Sequence, residues 1–323
     1  FDVLGWNSLV DFLGFIYHYI IMKNIVIAGG TGFIGRLLTG EFIKKGYHVT
    51  ILSRRHHQNK EAISYVKWDG VEEGAWCSVL ENAEGLINLN GKSVNCRYNK
   101  ANKEAIYDTR ISATNVLGKA VGQCRNPPKV WINASSATIY EHSLDTPMTE
   151  KSPITATDFS VDVCKKWESS FHQFDLPEVR KVVLRIAIVL GRDGGALPVL
   201  KKLAQYGLGG KQGSGRQMVS WIHEEDLISI FDFCLQNRLV TGTWNVSAPN
   251  PVCNHDFMAA VRKYMEVPFG IPSPEILLKL GAGVIGTESE LVLKSRFVIP
   301  AKLMETSFSF QYDCIDAALA DLC

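Results

Sequence analysis

Short apolar runs alternate with longer segments of helical periodicity from Lys23 to about Leu190. Each run ends in small or polar residues, as strands do when they lead into loops. Strands that alternate with helices require a parallel sheet with right-handed crossovers. The predicted fold class is therefore α/β, a doubly wound parallel sheet followed by a smaller C-terminal lobe. The predicted strands are Ile25–Ala28, Tyr47–Leu52, Ser64–Trp68, Gly85–Gly91, Val130–Ala134 and Lys181–Leu190, and the predicted helices are Phe33–Lys45, Tyr98–Cys124, Phe159–Phe174 and Asp226–Gln236.

The first strand leads into a glycine-rich turn, GGTGFIG, which opens a helix. In a strand–turn–helix unit of this kind, Gly29 permits the tight turn and Gly32 lets the backbone approach a pyrophosphate. Gly35 allows close packing of the helix on the strand. Phe33 and Ile34 begin the helix, where free N–H groups and the positive dipole end favour phosphate. The turn therefore predicts a dinucleotide-binding site.

The end of the second strand indicates which nucleotide binds. The side chain that meets the adenosine ribose is expected there, and the chain reads Ser53-Arg54-Arg55, without a carboxylate. A carboxylate accepts a hydrogen bond from a 2′-hydroxyl, whereas arginine pairs with a 2′-phosphate. This favours NADP(H) over NAD(H). The alternative is that the arginines only begin a solvated loop.

Three stretches are predicted to meet in one crevice. Gly29–Gly35, Asn90–Gly91 and Ser135–Ser136 each follow a predicted strand. Ligands of doubly wound sheets bind beyond the carboxyl ends of the strands. These residues are therefore expected to surround the cofactor and its substrate.

Composition narrows the class of protein. The net charge is +1 and there is no basic block, which argues against nucleic acid as a partner. The eight cysteines form no C-x-x-C pair, so reduced, buried thiols in a cytoplasmic protein are expected, with neither a metal site nor a disulfide framework. The expected partner is a small-molecule substrate. The oligomeric state stays open, with a homodimer as one arrangement.

The leading segment, residues 1–21, carries an apolar run interrupted by Asp11 and His18. It lacks the features of a signal peptide and is short for a membrane span. A loosely attached extension or an artefact of the chosen start is expected; the alternative is a membrane-surface anchor. The predicted domains after it are residues 22–248, which bind the nucleotide, and residues 249–323, a small C-terminal lobe.

Several motifs resemble a known family. GGTGFIG, the segment Asn88–Gly91 (NLNG) and the segment Asn133–Tyr140 (NASSATIY) resemble extended short-chain dehydrogenases/reductases, the NAD(P)-dependent epimerase/dehydratase family. Gly207–Leu227 and Gly242–Phe257 are similar to one atypical branch, the "epimerase family proteins" with their own C-terminal domain of unknown function. The resemblance extends from Lys23 to about Leu322. It implies a Rossmann-type domain, a small C-terminal lobe and NADP(H) as cofactor.

The resemblance also implies site residues. The family's cofactor contacts correspond here to the glycine turn, to Ser53 and Arg54, to Leu89 and Asn90, and to Arg110 in the long helix. Members of the branch are described as nucleotide-sugar epimerases, oxidoreductases or division inhibitors. A hydride-transfer reaction on a small substrate is therefore expected, with a nucleotide-linked substrate as one possibility.

The usual general acid of the superfamily is missing. Its members place a Tyr-x-x-x-Lys pair on the helix after the fifth strand, where the ammonium lowers the phenol pKa. Here Val161 stands four residues before Lys165, and Asp162 stands four residues before Lys166. The nearest candidates are Ser136, which resembles the family's serine, Tyr140, and a lysine at 165 or 166.

The sequence supports two interpretations of the function. The first is an oxidoreductase or epimerase that acts by hydride transfer. The second is a non-catalytic NADP(H)-binding regulator or redox sensor, for which the missing tyrosine argues. Near the flexible glycine-rich loop, Lys211 and Arg216 are candidates for contact with an anionic substrate. His223 is expected to orient a turn, and Asp226 is expected to cap the following helix.

Overall fold

The computed structural model describes residues 23–278 and 288–323, so the predicted extension at residues 1–21 lies outside the described residues. At its centre lies a seven-stranded parallel sheet. The strands of this sheet are β1 (Asn24–Ala28), β2 (His48–Ser53), β3 (Ile63–Lys67), β4 (Gly85–Asn88), β5 (Val130–Ser136), β6 (Arg180–Ile186) and β10 (Gly242–Val246). They lie in the order β3-β2-β1-β4-β5-β6-β10, and the predicted doubly wound α/β fold is confirmed.

Helices cover both faces of the sheet. Leu38 and Phe42 of the first helix pack in one core cluster, and Leu117 of the second packs in the other. Strands buried on both faces need the continuous apolar runs that identified them in the sequence. The helices of this part are α1 (Phe33–Lys44), α2 (Lys100–Gln123), α3 (Phe159–His172) and α5 (Glu224–Gln236).

The predicted sixth strand is wrong in its second half. It divides at Ala187 into β6 and a separate strand, β7 (Ile188–Leu190). The Ala187 N–H donates to Val246 O, and β7 then pairs with β9 (Trp221–His223) in a second, two-stranded sheet. The single predicted strand therefore spans a change of sheet. At this point the chain passes from the nucleotide-binding part into the C-terminal lobe.

The C-terminal lobe, taken here as residues 188–223 together with the described residues after 246, has its own apolar core. Leu197 and Trp221 pack there with Phe257 and Leu319, so the core draws on residues before and after 248, the predicted boundary. The remaining elements are α4 (Leu197–Gln205), β8 (Met218–Val219), β11 (Val252–Cys253), α6 (Asn254–Tyr264), α7 (Glu290–Leu293), α8 (Ala301–Met304) and α9 (Ile315–Leu322). Strands β8 and β11 pair antiparallel.

The start of α5 differs from the sequence prediction. The helix begins at Glu224, and the Nδ1 atom of His223 accepts the N–H of Glu225 at 3.1 Å, so His223 is the cap. This agrees with the predicted role of His223 in orienting a turn. Asp226, predicted as the cap, instead accepts the N–H groups of Gln311 and Tyr312. It thereby fixes the C-terminal segment to the lobe.

All eight cysteines are free and, in contrast to the expectation from the sequence, not all of them are buried. Cys164 and Cys234 lie in the interior, where burial raises the pKa of each thiol to about 12. Cys314 and Cys323 are exposed. Among the described residues, no helix combines the length and apolarity needed to cross a bilayer.

Candidate functional site

The turn after β1 needs two of its glycines for the fold itself. Gly29 has a φ of +80°, and a Cβ there would lie 2.9 Å from Leu89 C. A Cβ on Gly35 would lie 2.5 Å from the Cα and O atoms of Gly30. A left-handed φ strains any L side chain, and backbone atoms cannot move aside as a flexible side chain can. A side chain at Gly29 or at Gly35 would therefore disturb the fold even when no cofactor is bound.

Gly32 differs, because the protein leaves room beside it. Its backbone is extended (φ −74°), and a Cβ would meet only Gly29 O, at 3.4 Å. It caps α1 without a side-chain hydrogen bond, so the first N–H groups of the helix stay available. An open surface above free N–H groups fits the pyrophosphate of a dinucleotide.

A cavity of about 720 Å³ extends from this turn to the C-terminal lobe. Among its described lining residues, three are cationic and none is acidic. The wall therefore favours an anionic ligand. The cationic residues are Lys92, Arg110 and Arg296.

Most of the predicted cofactor contacts line this cavity, whereas Ser53, Arg54 and Asn90 are not among its described lining residues. The cavity is lined by Gly29, Gly32, Phe33, Ile34, Gly35, Leu89 and Arg110. Ser53 ends β2 and is buried, and its hydroxyl accepts the N–H of Arg55 at 3.2 Å. Arg54 is exposed beside it. The pair lies at the carboxyl end of β2, where an adenosine ribose is expected.

Asn90 and Arg110 form hydrogen bonds that connect the segment after β4 to α2. Asn90 Nδ2 donates to Thr109 O at 2.7 Å. Arg110 Nη1 donates to Lys92 O at 3.0 Å and to the backbone of its own helix, and its guanidinium lies 5.0 Å from the Trp167 ring centroid. Burial lowers the pKa of Arg110. These contacts hold a cation at the cavity wall next to the glycine turn.

At the end of β5, the hydroxyl group of Ser136 is hydrogen-bonded to that of Thr138. Ser136 Oγ donates to Thr138 Oγ1 at 3.0 Å, and Arg296 Nε donates to the same oxygen at 3.2 Å. All three residues line the cavity. Because Thr138 Oγ1 already accepts twice, its own proton is free to donate. The sequence analysis did not identify Thr138 or Arg296.

Tyr140 lies away from the cavity. Its side chain is fully buried; its hydroxyl donates to Asn245 Oδ1 at 2.8 Å and accepts from Arg185 Nη1 at 2.9 Å. Burial raises the pKa of the phenol, although the charge of Arg185 opposes this. Tyr140 is therefore part of a buried polar network, and this geometry does not suit the predicted proton transfer.

The lysine candidates also lie outside the cavity lining. Lys166 Nζ pairs with Asp162 at 2.8 Å on the exposed side of α3 and lies 4.8 Å from the Tyr107 ring centroid. Lys165 Nζ donates to Ala156 O at 2.8 Å. No lysine of this helix therefore takes the place of the superfamily's active-site lysine.

The two cations predicted near the glycine-rich loop, Lys211 and Arg216, are exposed, and neither is among the lining residues. The loop contributes Gln212 instead. This side chain is buried, and its Oε1 accepts from Asn254 Nδ2 at 3.1 Å. Sequence alone could not distinguish the residue that faces inward from its exposed neighbours.

Comparison with known proteins gives consistent matches. Residues 25–247 match the model of the NAD dependent epimerase/dehydratase family, and residues 273–322 match a domain of unknown function, DUF1731. The "epimerase family protein YfhF" of Bacillus subtilis is 34% identical over 93% of this chain and 97% of its own length. An epimerase family protein of Staphylococcus aureus is 35% identical over 93% and 99%.

Solved structures extend the likeness to the whole fold. The human epimerase family protein SDR39U1 (isoform 2), crystallised with NADPH, superimposes with a TM-score of 0.84 at 29% identity, covering 93% of this chain and 99% of that one. A nucleoside-diphosphate sugar epimerase from Corynebacterium glutamicum gives 0.74 at 30% identity, covering 93% and 57%. This chain is thus an epimerase-like protein with an NAD(P)-binding fold, and it belongs to the NAD-dependent epimerase/dehydratase family.

Proposed function

We propose that the protein is an NADP(H)-dependent oxidoreductase or epimerase that transfers a hydride to or from a small substrate. One observation carries the proposal: a single cavity joins the open glycine turn to the hydroxyl groups of Ser136 and Thr138. A bound nicotinamide cofactor supplies or accepts the hydride. The residues present fit such a cofactor, because Gly32 and the start of α1 leave an open surface for phosphate.

The preference for NADP(H) rests on the end of β2. Arg54 is exposed there and no carboxylate occupies the neighbouring positions 53 and 55. A guanidinium binds the 2′-phosphate of NADP(H) through charged hydrogen bonds, whereas NAD(H) offers only a hydroxyl. The NADPH in the structure of human SDR39U1 supports the same choice.

The protein supplies the proton for the reaction through the hydroxyl groups of Ser136 and Thr138. In the reductive direction, a carbonyl carbon gains a hydride and its oxygen gains a proton. Thr138 is placed to donate its free proton to that oxygen, and Ser136 and Arg296, which both donate to Thr138 Oγ1, orient its hydroxyl group. Water then restores the proton to Thr138. Tyr140 and Lys166 take no part, since neither lines the cavity.

A non-catalytic NADP(H)-binding role is the second candidate, and the burial of Tyr140 favours it. The two functions differ in whether bound NADPH is consumed. Oxidation of NADPH in a screen of small carbonyl compounds supports the enzyme. Tight binding without turnover in any of them supports the regulator.

Arg54→Ala is expected to weaken NADPH binding about tenfold, which corresponds to about 1.4 kcal/mol. NADH binding should change by less than about twofold, because NADH has no 2′-phosphate for Arg54 to contact. The measurement is a titration of each cofactor, followed by nicotinamide fluorescence.

The matched control is Arg125→Ala. Arg125 is an exposed arginine just beyond the end of α2, before β5 begins, and its loss should leave both affinities unchanged. Equal weakening of NADPH and NADH by Arg54→Ala would overturn the assignment of Arg54 to the 2′-phosphate. If neither cofactor binds the wild-type protein below roughly millimolar, about 4 kcal/mol, the proposed function is wrong.

A further inference from the structure

We propose that the substrate is a small carboxylic acid with an apolar body, whose carboxylate pairs with Arg296 while its apolar part lies against the aliphatic wall of the C-terminal lobe. This rests on the proposed function, because it names the substrate class of the same cavity. It differs from a nucleoside-diphosphate sugar, the substrate class in the name of the Corynebacterium protein.

Arg296 is a buried cation that the described residues satisfy only in part. Its side chain lines the cavity, the residue is 6% exposed, and Nη1 donates to Lys294 O at 3.2 Å, whereas Nη2 has no hydrogen-bond partner among the described residues. Within the described part of the chain, no carboxylate lies within 4.0 Å of its guanidinium. The nearby acids Glu290 and Asp158 pair with Lys294 instead, at 3.9 and 2.8 Å. Burial lowers the pKa of Arg296, and Glu290 only partly offsets this.

An unpaired buried guanidinium costs stability that its packing does not return. A ligand carboxylate would remove this cost through a charge-assisted hydrogen bond. The other two lining cations lie at the segment just after β4, where Gly29 of the glycine turn approaches Leu89: Lys92 follows Gly91, and Arg110 packs against Gly91. They therefore belong with the cofactor phosphates, and Arg296 is left for the substrate.

Arg296 is also close to the proposed reacting groups. Its Nε bonds to Thr138 Oγ1, which bonds to Ser136 Oγ. A carboxylate on Arg296 would therefore place a neighbouring carbon of the same substrate near both hydroxyl groups. Such proximity favours a substrate whose reacting oxygen lies within a few bonds of its acid group.

The rest of the lobe's wall is mostly apolar. The wall contributes the side chains of Val189, Val199, Leu200, Val219, Phe257 and Val292. Its polar side chains are largely occupied: Gln212 and Asn254 bond to each other, and Ser220 Oγ bonds to Arg296 O and Val298 O. The hydroxyl groups of a sugar ring and a diphosphate need many more partners than this wall offers. An aliphatic body fits it.

The test is a calorimetric titration of hexanoate into the full-length protein, with and without saturating NADP⁺. The wild type should bind hexanoate more tightly than 1-hexanol or UDP-glucose. Arg296→Met should weaken hexanoate binding at least tenfold and leave 1-hexanol unchanged. The matched control is Arg216→Met, which removes an exposed arginine of the same lobe and should bind hexanoate as the wild type does.

A second measurement shows whether Arg296 serves to bind a ligand or to stabilise the fold. If Arg296 is kept for a ligand, Arg296→Met should unfold in urea at the same concentration as the ligand-free wild type, or at a higher one. A lower midpoint assigns Arg296 to the fold and overturns the proposal. So does wild-type hexanoate binding that is undetectable, unaffected by Arg296→Met, or weaker than that of UDP-glucose. Failure of NADPH to bind in the separate fluorescence titration counts against the proposed function alone.

Discussion

Glu168→Gln is expected to lower the free energy of unfolding by about 3–5 kcal/mol, the cost of leaving a buried charge without its partner. Arg185 Nη2 and Nε contact the two carboxylate oxygens of Glu168 at 2.7 and 2.9 Å, and both residues are buried. Burial lowers the pKa of Arg185, but the hydrogen bonds and charge of Glu168 outweigh it and raise the pKa. Glu168→Gln removes this carboxylate, but a guanidinium stays protonated in proteins, so the variant keeps a buried positive charge without its partner. Urea unfolding measures the loss.

Two further variants show whether the pairing is responsible. Glu84→Gln removes the partner of Lys129, an exposed pair at 2.7 Å, and should cost less than about 1 kcal/mol. The double variant Glu168→Gln/Arg185→Met removes both buried charges and should recover most of the loss. A Glu168→Gln cost as small as that of Glu84→Gln would contradict the interpretation.

Gly32→Ala is expected to fold normally and to weaken NADPH binding by at least tenfold, about 1.4 kcal/mol. The extended backbone and the 3.4 Å contact with Gly29 O accept a methyl group within the protein. The same methyl would occupy the surface on which a pyrophosphate has to lie. Fluorescence titration measures the NADPH affinity of the variant, and urea unfolding of the same sample measures its stability.

Gly35→Ala and Gly40→Ala are the two control variants for Gly32→Ala. Gly35→Ala should destabilise the fold by about 1–3 kcal/mol, because its Cβ would lie 2.5 Å from Gly30 backbone atoms. Gly40 lies in the middle of α1 with no atom within 4 Å of such a Cβ, so Gly40→Ala should stabilise the fold by about 0.5–1 kcal/mol and leave NADPH affinity alone. Normal NADPH binding by Gly32→Ala would remove Gly32 from the phosphate site.

Much of the fold could be predicted from local pattern. Strands buried on both faces read as apolar runs, and the glycine turn marks the first crossover, so the sheet and the position of its carboxyl edge can be derived from sequence. The change of sheet at Ala187 could not be predicted, because residues 182–190 are apolar except for Arg185 and no turn residue marks the division between β6 and β7. Ala187 N–H still donates to Val246 O, next to β6, whereas Ile188 N–H donates to Ser220 O, next to β9, and both partners lie far along the chain.

The candidate site divides in the same way. Ser136 follows a predicted strand and lies where the sequence analysis expected it. Arg296 meets Thr138 across 158 residues of chain, a contact that no local spacing indicates. The environment of Tyr140 depends likewise on Arg185 and Asn245, which come from other strands. Sequence therefore identified the side chains near the glycine turn better than those from the C-terminal lobe.

Phe33 connects the two halves of the cavity. It is the first residue of α1, and its ring fills space left by Gly191, Gly194 and Gly195, where any Cβ would meet the ring. A cofactor bound on the N-terminus of α1 would hold this ring, and through it the segment that leads into the C-terminal lobe. In kinetic terms, we expect a preferred order of addition, in which the cofactor enters first and leaves last and the substrate binds the complex more tightly than the free protein.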